Sequence, residues 1–205
     1  MAALALGSGT AGLFLAFTTG VTSFFILLVM SLMGLAYNLK VIPAGICKKR
    51  IRRIKDIPGS KTILITMAWG IVTSILPSVD NNSPMTWMAA AFFFAAGLVF
   101  ARTAFFDILA IQGDRIAGRE TLPILLGEKK SFVLIRYILT AVVLLLGCGW
   151  LAGMPVSSAA LLALVPFFML LLIYSFEKKK QMSGNLVEFL IESSFLLTGV
   201  LAAMT

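Results

Sequence analysis

The chain has 205 residues, of which 60% are hydrophobic and 13% charged, and its mean hydropathy is +1.00. A soluble domain is about 45–50% apolar and about 25% charged, so the composition excludes an ordinary water-soluble fold and predicts an all-α, polytopic transmembrane helix bundle. The net charge of +8 comes from 17 Lys and Arg against 9 Asp and Glu; there is no histidine, which excludes imidazole catalysis and histidine-ligated metal or haem.

The first apolar run covers residues 2–36. As one helix it would be about 52 Å long, against a hydrocarbon core of about 30 Å. Thr18-Thr19-Gly20 in its middle predicts a break into two short crossings. Runs 62–79, 85–106, 132–152, 156–176 and 186–204 each approach or exceed the roughly 20 residues a crossing helix requires. Seven helices result, with six as the alternative if the first run stays whole.

Basic residues orient these helices. Lys40, Lys48, Lys49, Arg50, Arg52, Arg53, Lys55 and Lys61 fall in the first polar connection. Arg102, Arg115, Arg119, Lys129, Lys130 and Arg136 fall in or beside the second, and Lys178, Lys179 and Lys180 in the third. Every alternate connection carries none. Asp80-Asn81-Asn82 and Gly153-Met154-Pro155 are therefore expected outside and the three basic loops in the cytoplasm, with the N-terminus inside and the C-terminus outside. This topology accounts for the positive charge without nucleic acid, and the basic loops favour anionic lipid head groups. Cys47 in a loop and Cys148 inside a helix make a disulfide implausible. The first basic residue is Lys40, so the charged start of a signal peptide is missing. No Gly-x-x-x-x-Gly-Lys phosphate loop or internal repeat appears, and residues 1–205 read as a single integral membrane domain.

The chemistry concentrates between the second and third of the later runs, in Phe106-Asp107-Ile108-Leu109-Ala110-Ile111-Gln112-Gly113-Asp114-Arg115, continuing to Ala117-Gly118-Arg119-Glu120-Thr121-Leu122-Pro123-Ile124-Leu125-Leu126-Gly127. Ionisable groups bordering a membrane bundle are costly and usually have a task. Aspartates favour a hard cation such as Mg2+, and arginines beside them favour phosphate oxygens. A magnesium-bound diphosphate with a greasy tail satisfies both; an ordinary solvated loop is the alternative. Positions 107, 110 and 114 share one helical face, with Asp107 and Asp114 about 10 Å apart along the axis. That is too far to grip one ion, so either each carboxylate holds its own or Gly113 bends the chain and brings Asp114 back. Neither aspartate is expected to support helix packing.

This segment resembles the second aspartate-rich motif of the UbiA-type membrane prenyltransferases, approximately Asp-x-x-Asp-x-x-Gly-Asp-Arg followed by a Gly and Thr-Leu-Pro-x-x-x-Gly. Asp107, Gly113, Asp114, Arg115, Gly118, Thr121-Leu122-Pro123 and Gly127 carry the match. Upstream, Tyr37 ends a helix, and Lys55-Asp56-Ile57-Pro58-Gly59-Ser60-Lys61 leads into a helix containing Trp69-Gly70, which is similar too. The resemblance covers almost the whole chain, which reads like the family's third to ninth helices. Two departures stand out. No acidic residue precedes Asp56, so the family's first motif is missing and the chain is expected to be N-terminally incomplete relative to the family; Ala110 and Gln112 stand where acids are common.

The resemblance implies Mg2+-dependent transfer of a polyprenyl group from its diphosphate to a lipophilic acceptor such as an aromatic quinone precursor. It implies Asp107 and Asp114 as metal ligands and catalytic residues. Arg115, Arg119, Lys55 and Lys61 are weaker candidates for diphosphate contact, with a solvated or lipid-facing role open for each lysine. Tyr37 is a candidate pocket residue, with an interfacial anchor as the alternative. Glu188 and Glu192, at i and i+4 in the last run, are expected to sit near the inner interface and to bond a neighbouring helix, respectively, with partial replacement of the lost aspartates as the alternative. Phe92-Phe93-Phe94 and Phe105-Phe106 read as packing or tail-pocket lining, and the small residues at Gly70, Ala89–Ala91 and Ala95-Ala96-Gly97 as close-approach surfaces. Three classes follow: a prenyltransferase, complete only with the missing N-terminal helices, whether supplied by another chain or lost to truncation; a non-catalytic relative that binds isoprenoid or lipid or serves as a subunit; and a small-solute transporter. The Gly-Asp-Arg loop favours the first.

Overall fold

The computed structural model describes residues 2–39, 54–79, 84–149, 153, 155–179 and 182–204. Lys40, Lys48, Lys49, Arg50, Arg52, Arg53, Lys180, Cys47 and Asp80-Asn81-Asn82 lie outside the described residues. Helix α1 spans Ala2–Thr19 and α2 Val21–Asn38. A single 3-10 turn, Ile54–Asp56, precedes α3, Ser60–Val79. Then come α4, Met85–Leu109, and two short helices, α5 at Ile111–Ile116 and α6 at Leu122–Leu126. Long helices α7, Glu128–Gly149, α8, Val156–Lys179, and α9, Gly184–Ala203, complete the bundle. Among the described residues the regular structure is entirely helical.

Five of these, α3, α4, α7, α8 and α9, are long and apolar enough to cross a membrane. With the two 18-residue apolar helices α1 and α2 they make the seven expected. The first run divides at Gly20, where the sequence places its break. Thr18 and Thr19 turn their hydroxyls back onto the carbonyls of Leu15 and Ala16 at 2.7 and 2.8 Å, a local alternative to the regular ladder. The extended backbone of Gly20 then reverses the chain, so that Phe17 and Phe24 meet edge to face at 5.6 Å. The result is an integral membrane protein.

Helix α4 is the hub. It packs against α3 on one side and α7 on another, and α7, α8 and α9 follow in order around it. Leu98, Ala101, Ala104, Phe105 and Ile108 of α4 form one core with Phe132, Ile135 and Leu139 of α7, Val165, Met169 and Ile173 of α8, and Val187 and Ile191 of α9. Phe105, fully buried, meets Phe132 and Phe176 at centroid distances of 6.4 and 5.4 Å. Small residues set the crossings, as expected: a Cβ on Gly97 would lie 2.3 Å from Val142 Cγ2, and one on Gly70 would lie 2.8 Å from the Phe92 ring.

Two ion pairs tie α7 to α8 and α4 to α9. Arg136 of α7 bonds Glu177 of α8 at 2.8 Å. Arg102 of α4 donates from Nε to Glu192 of α9 at 2.8 Å and again from its terminal nitrogen, and its guanidinium lies 4.9 Å from the centroid of Phe106. Glu192 therefore bonds a neighbouring helix. Glu188 is exposed, and neither glutamate joins the aspartates.

Candidate functional site

Asp107 lies in the last turn of α4 with 3% of its surface exposed. A carboxylate at that depth needs a donor for each oxygen. Both come from the first turn of α3: Lys61 Nζ stands 3.2 Å from Oδ1, and Thr62 Oγ1 donates to Oδ2 at 2.9 Å. Asp107 thus joins α4 to α3, which corrects the expectation that it plays no part in packing. The reason is the adjacent Lys-Thr pair, which delivers a cation and a hydroxyl from consecutive positions.

The segment before α3 is held in place by its glycine. Gly59 has φ +73, a left-handed conformation that costs an L side chain about 1–2 kcal/mol. There its N–H donates to the carbonyl of Glu120 at 3.3 Å, tying the start of α3 to the chain beyond α5.

Asp114 is positioned by a different device. α4 stops at Ala110, with φ −86 and ψ 0, and α5 starts at the next residue. The break is at Ala110 and not at Gly113, which lies inside α5. α5 ends in a left-handed glycine turn: Gly118, φ +65, donates to the carbonyl of Arg115 at 3.2 Å, and Arg119 N–H reaches the carbonyl of Asp114 at 2.9 Å. This paired closure is the Schellman arrangement. It folds Arg119 back over the helix, so that its guanidinium stands 3.5 Å from Asp114 Oδ1. Asp114 itself is buried, at 7% exposure. The Asp-x-x-x-Gly-Arg spacing has a mechanical meaning here.

These elements enclose one polar cavity of about 600 Å³, lined among others by Tyr37, Lys55, Lys61, Thr62, Asp107, Asp114, Arg119, Glu120 and Thr121. Six of the seven site residues expected from the sequence thus share it. Arg115 is exposed and does not line it, and Ala110 and Gln112 are exposed as well. Three residues that sequence reading passes over join it: Thr62, Ser60 and Glu120. The signal for Ser60 and Thr62 in the sequence is two hydroxyl residues flanking Lys61 at the threshold of an apolar helix, and Glu120 stands inside the segment 107–127. A second, apolar cavity of about 270 Å³ lies between α2 and α3, lined by Met30, Met33, Leu64, Met67 and Ile71. Tyr37 and Lys61 border both.

The donor set can be weighed against a divalent cation. Among the described residues no three of His, Cys, Asp and Glu converge. Mg2+ however is commonly held by one or two carboxylates together with substrate phosphates. Asp107 and Asp114 fit a metal that arrives with a phosphate, and do not form a cage for a free ion.

Fold and site together define a helical membrane protein with an acid- and base-lined polar cavity beside an apolar one. The profile of the UbiA prenyltransferase family matches residues 1–193, and the chain belongs to that family of membrane prenyltransferases. No curated protein and no solved structure matches it.

Proposed function

We propose that this chain transfers a polyprenyl group from a Mg2+-bound polyprenyl diphosphate to a lipophilic acceptor, with the diphosphate in the polar cavity and the isoprenoid tail in the apolar one. The observation that carries the reading is the convergence of buried Asp107 and Asp114 on a cavity that adjoins an apolar one across Tyr37 and Lys61. An amphipathic ligand with an anionic head matches that junction.

Charge supports a metal. Lys55, Lys61 and Arg119 face Asp107, Asp114 and Glu120, so cations and anions in the lining balance. A multiply charged diphosphate needs further positive charge to enter. Asp107 and Asp114 would hold Mg2+ against it, and the bound metal would supply charge neutralisation of the leaving diphosphate.

The chain's own residues do the rest. Lys61, its side chain 56% exposed on a flexible stem, can exchange its Asp107 partner for a phosphate oxygen. Thr62 keeps the freed carboxylate oriented. Arg119 is held at the cavity by the Gly118 turn and presents a planar set of donors to phosphate. Together the two cations stabilise negative charge as it builds on the departing diphosphate. Tyr37, which borders both cavities, would place an aromatic ring beside the positive charge that develops on the allylic carbon.

The test is binding and release. Mg2+ should strengthen binding of a non-hydrolysable polyprenyl diphosphate analogue, and Asp107→Asn and Asp114→Asn should each remove the enhancement. Release of labelled diphosphate from the true substrate should require the same residues. Equal Mg2+-dependent binding by wild type and both variants would refute the assignment.

A further inference from the structure

We propose that the hydroxyls of Ser60 and Thr121 are a second pair of anion donors in the polar cavity, each taking an oxygen of the bound diphosphate; this rests on the diphosphate reading of that cavity. Both residues line it and both are only 8% exposed, yet neither hydroxyl has a hydrogen-bond partner among the described residues. Unpaired buried hydroxyls are costly, and folded chains rarely leave them so.

The other hydroxyls of this chain show how readily they are satisfied. Thr73, Ser78, Thr103, Ser131, Ser193 and Thr198 all donate to carbonyls of the preceding turn. Thr121 has a further unused option. It stands immediately before α6, where a threonine oxygen ordinarily accepts an N–H of the first turn. Ser183 does so before α9, accepting from Leu186 N at 3.4 Å. Thr121 does not: Ile124 and Leu125 donate to its backbone carbonyl, at 3.1 Å each, and its side chain caps nothing.

The two residues are neighbours by construction. The Gly59 N–H to Glu120 carbonyl bond joins their segments, and Ser60 and Thr121 are the next residue along each. Lys61 and Arg119 lie one residue further along and two residues back, respectively. Phosphate oxygens placed for those cations would lie beside both hydroxyls, which form strong bonds to anions without adding charge. The third unpaired hydroxyl, Thr66, lines an apolar groove with Phe93, Phe100 and Leu145 and has no charged neighbour there. It serves as the control.

The experiment uses the full chain in lipid nanodiscs with Mg2+. Affinity is measured for a thio-linked polyprenyl diphosphate analogue and for the matching polyprenyl alcohol, and thermal stability is measured without ligand. Ser60→Ala and Thr121→Val should each weaken analogue binding on the order of tenfold, the scale of a hydrogen bond to a charged group. Alcohol binding should not change, and the unliganded melting temperature should hold or rise because an unsatisfied group has gone. Thr121→Ser should retain affinity, and Thr66→Val should leave it unchanged. Variants that bind the analogue like wild type would overturn the proposal, as would variants that lose stability and affinity for both ligands together. If the wild type binds alcohol and diphosphate equally, the diphosphate reading itself fails, and this inference falls with it.

Discussion

Replacing Lys61 by Met keeps the stem of the side chain and removes the ammonium from Asp107. At 3.2 Å the pair is worth about 5 kcal/mol gross in an effective dielectric of about 20. Most of that does not survive, because the lysine side chain is 56% exposed and its charge is screened and hydrated. What remains is the asymmetry of the partners. Asp107, at 3% exposure, keeps the Thr62 hydroxyl but loses its other donor, and a buried acceptor so orphaned costs about 1–3 kcal/mol. Lys61→Met should therefore destabilise the unliganded protein by about 1–3 kcal/mol. Asp107→Asn should cost less, under about 1 kcal/mol, since its amide oxygen still accepts from Thr62 and the lysine passes into solvent. The double variant, with no buried charge, should be more stable than Lys61→Met alone. Reversible unfolding in mixed micelles gives all three values. Titration with Mg2+ adds a second readout: without the resident ammonium, the metal should protect Lys61→Met more than wild type. A larger loss from Asp107→Asn than from Lys61→Met, or strict additivity in the double variant, would refute this reasoning.

Further outcomes follow from the packing. Gly97→Ala places a methyl 2.3 Å from Val142 Cγ2 and should destabilise by about 1–3 kcal/mol, with Val142→Ala restoring most of the loss in the same unfolding assay. Glu192→Gln weakens the Arg102 pair between α4 and α9 and should lower stability while leaving diphosphate-analogue affinity within about twofold, since this pair lies outside the cavity. For sidedness, a membrane-impermeant thiol reagent applied to intact cells should label Asp80→Cys and spare Arg119→Cys; labelling at position 119 would reverse the proposed orientation.

The helices were legible in the sequence because a bilayer leaves few solutions: an apolar run of sufficient length must close its own hydrogen bonds as a helix. Even the break at Gly20 and the close approaches at Gly70 and Gly97 could be read, since each depends on local composition. The aspartates stood out because charge is rare among such runs. Their partners did not. Nothing in the chain between positions 61 and 107 announces that Lys61 and Thr62 share the two oxygens of one carboxylate, because that contact depends on how α3 crosses α4. Likewise the spacing of Asp114, Gly118 and Arg119 became a mechanism only once the left-handed turn at Gly118 folded the arginine back. The sequence alone determined the solvent, the helices and which residues carry charge, since these rest on hydrophobicity and length. Only the tertiary structure decided which charges and hydroxyls meet, because a side chain reaches only a few ångströms and helix crossings set which residues come within that distance.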